Sequence, residues 1–153
     1  MFAKFDFQSF PIVIVKFSKS IKNDKEFENF INSWKNLYLL KQKFTFIFDT
    51  TDVGFPHIKY CYRMSKFIRE LRDESVQYLE KSLIIVKNKN VIRLLNLIFF
   101  IQPPVSPVLI TDDVFEKVKK NINAKNVFNT NINLKNINIL KEIEPSYSLL
   151  PFL

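Results

Sequence analysis

The chain of 153 residues contains one glycine, one cysteine, one histidine and one tryptophan, and no long apolar run. Each scarcity removes a class of chemistry. A single glycine, Gly54, cannot build a glycine-rich phosphate loop, so nucleotide-dependent chemistry is disfavoured. A single cysteine, Cys61, excludes an internal disulfide and a cysteine-rich zinc site, and makes a reducing, cytoplasmic location the default expectation. The lone histidine, His57, has no second imidazole with which to hold a metal, and no cofactor is expected. Leu97 to Ile101 is the longest apolar run, far short of the roughly 20 residues that span a bilayer. Met1 to Phe10 alternates polar and apolar residues instead of reading as a signal peptide, so a soluble protein is expected.

What the chain does have is apolar and basic. Hydrophobic residues make up 47%, with 17 phenylalanines that can supply large buried areas to one core. The length suits one domain, set at residues 1–122, followed by an asparagine-rich tail, 123–153, that packs on the domain or on a partner. A formal charge of +8 favours an anionic partner, although lysine is also the default surface residue of a biased composition.

The organising stretch is Phe44 to His57, FTFIFDTTDVGFPH: a buried strand ending on Asp49, then a turn with Asp52, Gly54 and Pro56. Before it, Met1 to Phe7 predicts an edge strand and Ile12 to Phe17 a strand covered on both faces. Asn23 or Asp24 caps a helix whose Phe27, Phe30, Ile31, Trp34, Leu37 and Tyr38 share one face. After it come a helix from Ile58 to about Glu80, with a break considered at Asp73 to Ser75, and a strand at Leu83 to Val86. An apolar helix over Val91 to Ile101, a strand over Pro107 to Thr111 and a helix capped by Asp112 or Asp113 and running to about Ile122 complete the pattern. Alternating strands and helices predict an α/β domain with a mostly parallel sheet of four to five strands.

Asp49 ends a strand where open α/β sheets place ligands, so it is the first candidate for chemistry. A phosphoacceptor aspartate needs an acidic pair after the first buried strand and a lysine after the last; the exits here read SKS and TDD. A phosphatase of the haloacid-dehalogenase kind needs two acids two residues apart, whereas Asp49 and Asp52 are three apart and no distal acidic cluster supports a metal. Asp49 is therefore expected to cap the turn through backbone hydrogen bonds. Cys61, one helical turn after His57, falls on the predicted buried face and makes a poor nucleophile. Lys59, Arg63 and Lys66 form a positive strip on the long helix, readable as a solvated face or as an anion or membrane-surface contact.

The element order, with FIFDTTDVGF, LIIV and the run SLIIVKNKNVIRLLNLIFFIQPPVSPVLIT, resembles the STAS fold of anti-sigma-factor antagonists and the core of CRAL-TRIO lipid-transfer domains over about residues 10 to 120. The place of the phosphorylatable serine of the antagonists is held here by His57, Ile58 and Lys59, so the resemblance does not carry the phospho-switch. It implies a non-catalytic module that binds a protein, or a homo-oligomer, with phospholipid as the alternative ligand and nucleic acid disfavoured. The expected binding surface is Asp49, Asp52, Phe55, His57, Lys59, Arg63 and Lys66, and the expected apolar pocket is lined by Leu94, Leu95, Ile98 and Phe99. An apolar void beneath the Val91 to Ile101 helix would favour a lipid, and a filled core a protein partner.

Overall fold

Phe44–Asp49 forms β3, buried along its whole length, at the centre of a six-stranded mixed sheet. The structure is a computed structural model and describes residues 1–55, 57–124 and 130–145. The readings placed on Pro56, Val127, Phe128 and the terminal SYSLLPFL lie outside the described residues. β1 (Ala3–Asp6), β2 (Ile12–Phe17), β3, β4 (Leu79–Ile85), β5 (Val108–Thr111) and β8 (Ile139–Ile143) lie in the order β1-β2-β3-β4-β5-β8. The pairings from β2 to β5 are parallel, and the two outer ones are antiparallel. The α/β class is as expected, but the sheet has six strands, not four to five, because Ile139–Ile143 of the asparagine-rich segment supplies an edge.

From β1 to β5 the strand order follows the chain order. Right-handed crossovers that always step in one direction place their helices on one face. Accordingly α1 (Asp24–Tyr38), α2 (Ile58–Arg72) and α3 (Lys89–Ile101) all contribute to one cluster with Val13, Val15, Phe17, Phe44, Phe46 and Phe48. This face is aromatic: the Trp34 ring meets Phe46 at 4.8 Å and Phe67 at 5.2 Å, and Phe46 meets Phe48 at 4.5 Å. The alternate strand residues Ile12, Ile14, Ile47, Leu83, Ile85 and Leu109 point to the other face. There they pack on Val118 of α4 (Phe115–Lys120) and on Ile132 and Ile137. β6 (Ile122–Ala124) pairs antiparallel with β7 (Thr130–Ile132) as a separate hairpin, and a short 3-10 turn, Leu134–Asn136, leads back to β8.

Local chemistry explains the boundaries. The Asn23 side chain accepts from Glu26 N at 3.0 Å, which starts α1. α2 ends at Arg72, eight residues short of the expected Glu80, because Leu79 to Ile85 alternates and then runs apolar as a strand paired with β3. α4 stops at Lys120 and Ile122 opens β6. Its cap position is Val114, with no side-chain capping bond. Asp113 instead accepts from Asn138 N at 2.7 Å and pairs with Lys117 at 3.1 Å, which ties the segment before β8 to the domain.

Ile137 sits buried on the second face and Leu140 on β8 is half exposed. Replacing Ile137 by Ala should therefore cost about 2–5 kcal/mol in urea unfolding. The Leu140→Ala change should stay within about 0.5 kcal/mol. Equal small effects would mean that this segment does not cover the sheet.

Candidate functional site

The turn after β3 is held by its own backbone and by neighbours. Asp49, buried, accepts from Thr51 N at 3.0 Å and from the Thr51 hydroxyl. Thr50 Oγ1 donates to Ile85 O at 2.6 Å, and Gly54 N donates to Lys19 O at 2.9 Å. These bonds match the capping role expected for Asp49, which lines neither of the chambers described below. Between β2 and β5 the order never reverses, so there is no switch point at which adjacent loops diverge into a crevice. Gly54 does not have a positive φ, and a Cβ there would meet Lys19 O at an ordinary 3.5 Å. Its conformation is one that other residues can adopt.

The basic strip has a structural use. Lys59 Nζ lies 3.3 Å from Asp24 Oδ1, and Arg63 pairs with Asp24 at 3.3 Å and Glu28 at 3.4 Å. The guanidinium also stacks over Phe27, 4.7 Å from the ring centroid. Tyr60 donates its hydroxyl to Asp24 at 3.0 Å. Two of the three cations of the strip thus clamp α2 to α1, and Lys66 remains exposed without an ion pair among the described residues. Asp52 is likewise exposed, away from the cavity described below. His57 caps α2, its Nδ1 accepting from Lys59 N at 3.1 Å. Cys61 is fully buried, and burial pushes its thiol pKa up and so disfavours the thiolate. Among the described residues no group of three or more His, Cys, Asp or Glu could hold a metal, and no helix is long and apolar enough to cross a membrane.

The cavity lies under α3. Nine of its thirteen residues are apolar, the exceptions being Lys89, Asn90, Arg93 and Asn96, yet only Val91 and Ile98 are fully buried. Ser65 on α2, whose hydroxyl donates to Cys61 O at 2.9 Å, meets α3 with its Oγ 3.5 Å from Ile98 O. Beneath, in the row Phe46–Ser82–Val108 across β3, β4 and β5, the middle position is a serine. A helix propped on its neighbour above a small sheet residue leaves space. An inner chamber of about 140 Å³ is lined from the sheet by Phe17, Phe48, Ser82, Ile84 and Val108 and from the helices by Trp34, Met64, Ile68, Leu95, Ile98 and Phe99. An outer chamber of about 200 Å³ adds Lys19, Ser20, Phe27, Phe55, His57, Tyr60, Val91 and Leu94. Phe17, Phe30, Thr50, Met64, Leu95 and Ile98 border both. Among the described residues, the two buried side-chain polar atoms without a hydrogen-bond partner, Trp34 Nε1 and Ser106 Oγ, belong to inner-chamber residues.

Leu94, Leu95, Ile98 and Phe99 therefore all border this space, and Phe55 and His57 stand at its outer end. Asp49, Asp52, Lys59, Arg63 and Lys66 do not line it. The residue that sequence reasoning passed over is Asn88. Its side-chain amide donates to Gly54 O at 3.0 Å and Val53 O at 3.4 Å, and its Oδ1 accepts from Asn90 N at 2.8 Å. One side chain thus starts α3 and ties it to the central turn. An asparagine just before an apolar helix is the capping signal that could have identified it. The other end of α3 is held by Arg69 to Gln102 at 3.4 Å and Arg72 to Pro103 O at 3.1 Å. Comparison with protein-family models, curated proteins and solved structures finds no match to this chain.

The clamp makes a pH prediction. The Tyr60 hydroxyl, then the hydrogen bond and charge of Lys59, hold the Asp24 carboxyl below its ordinary 3.8, and Asp24 in turn holds Lys59 above its ordinary 10.5. The Asp24 contribution to stability is present above pH 3.8 and is lost as the pH falls through the lowered value; that of Lys59 is lost only as the pH rises through its raised value. Asp24→Asn should lower the urea midpoint at neutral pH, and its difference from the wild type should shrink as the pH falls below 3.8. A difference of the same size across that range would mean that the carboxylate charge is not what matters.

Proposed function

We propose that the protein is a non-catalytic binding module that holds a small apolar or lipid-like molecule beneath α3. The observation that carries this reading is the two-chambered space between the aromatic face of the sheet and a helix that leaves most of its apolar side chains incompletely buried. Empty apolar cavities of about 150 Å³ stay dry and accept apolar guests. A natural chain that filled this space with side chains would gain packing energy, so leaving it open favours a ligand. The parallel run β2 to β5 with helices on one face supports the STAS-like or CRAL-TRIO-like reading of the fold, and the lipid-binding member of that pair fits the cavity better. A cytoplasmic location belongs to the same reading, from the lone buried Cys61.

A protein-interaction module is the second reading. It is favoured by Phe100, 87% exposed on α3, and Phe55, 82% exposed at the turn.

Ser82 provides the test because it is the small residue under the space. Ser82→Val should fill part of the inner chamber and weaken binding of a neutral apolar fluorophore such as Nile red about tenfold. Its melting temperature should be unchanged or higher. Organic extracts of the purified wild type should yield an apolar compound that is depleted in the variant. A wild type that neither binds the dye nor yields such a compound would leave the protein-interaction reading in its place.

A further inference from the structure

The two chambers differ in chemistry, and the difference specifies what kind of ligand fits. The inner wall is built mainly from Phe17, Phe48, Ile84, Leu95 and Phe99 with their neighbours, and favours apolar atoms. The outer chamber reaches the surface, because Lys19, Ser20, Phe55 and His57 in its wall are exposed. No carboxylate lines it. Tyr60 is already engaged with Asp24, and Nδ1 of His57 with the backbone of Lys59. The Lys19 ammonium, the Ser20 hydroxyl and Nε2 of His57 have no partner among the described residues, so they are available to a ligand. The first turns of α2 and α3 carry no acidic residue, and His57 and Val91 from those turns border the chamber. At α2 the Asp24 carboxylate already sits against Lys59 and Tyr60 of the first turn, whereas at α3 the positive end of the helix dipole adds to the potential of the chamber.

We infer that the ligand is a single-chain amphiphile with an anionic head group. Its chain occupies the inner chamber and its head sits in the outer one, beside Lys19 and His57. This rests on the apolar-ligand reading above and adds the sign of the head and the number of chains. Each chamber is smaller than the roughly 300–1,000 Å³ of a drug-sized site, and together they reach only the lower end of that range. That volume suits one chain and not the two of a phospholipid. Met64 borders both chambers, and its unbranched side chain can change rotamer to join them.

The test uses the full chain and displacement of bound Nile red by ligands of equal chain length: decanoate, decyl phosphate, decanol and decyltrimethylammonium. At low ionic strength the two anions should bind about three- to tenfold tighter than decanol, the range expected for an exposed charge pair or two. The gap should shrink in 1 M salt (about a 3 Å screening length). Lys19→Glu should close the gap while leaving decanol affinity unchanged. A lead for either anion supports the inference and shows which head group is preferred. Decanol or the cation binding as tightly as decanoate overturns the inference and leaves the apolar-ligand reading standing. If Nile red itself is not bound, both fall.

Discussion

The direction in which the chain winds across its sheet is the constraint on which the rest depends. Strands β1 to β5 are laid down in chain order without a reversal, so α1, α2 and α3 crowd onto one face. The first two cover β2, β3 and part of β4 with aromatic rings, and Trp34 packs among Phe46, Phe48 and Phe67 in that contact. The third lies against α2 through Ser65 and Ile98, and of its apolar residues only Val91 and Ile98 are fully buried. The space under α3 follows from that placement together with the small Ser82 below.

The same winding leaves the opposite face bare until the last third of the chain. Ile12, Ile14, Ile47, Leu83, Ile85 and Leu109 would form an exposed aliphatic surface without Val118, Ile132 and Ile137. The C-terminal segment therefore contributes twice, by covering this face and by adding β8 to the sheet edge. Asp113, through Lys117 and the backbone of Asn138, fixes the return of the chain to that edge.

Charge in this protein acts mostly at close range. Asp24 gathers Lys59, Arg63 and the Tyr60 hydroxyl, and through them α1 and α2 hold one wall of the cavity in place. Such exposed pairs contribute little each, but the stacking of Arg63 on Phe27 adds contact area to the charge. Part of the surplus of +8 is thus committed to structure, while Lys19 at the outer chamber is not.

Much of the fold could be read from the residues. The cap at Asn23, the one-sided stripe from Phe27 to Tyr38 and the buried run of β3 depend on local spacing and on neighbours within a few positions, and they lie where their pattern places them. The extent of α2 was misread because YLEKSLII carries both helical and alternating spacing, and pairing with β3 decides between them. Within the candidate site, the apolar residues of α3 were legible from their number alone. The use of Lys59 and Arg63 was not, because a helical face shows which residues are neighbours and not which helix lies opposite. By itself the sequence determined the α/β class, through the alternation of apolar strands with one-sided helices. Only the tertiary structure decided that Lys59 and Arg63 clamp α2 to α1, that Asn88 anchors α3, and that space remains above Ser82, since each depends on which strand or helix stands beside which.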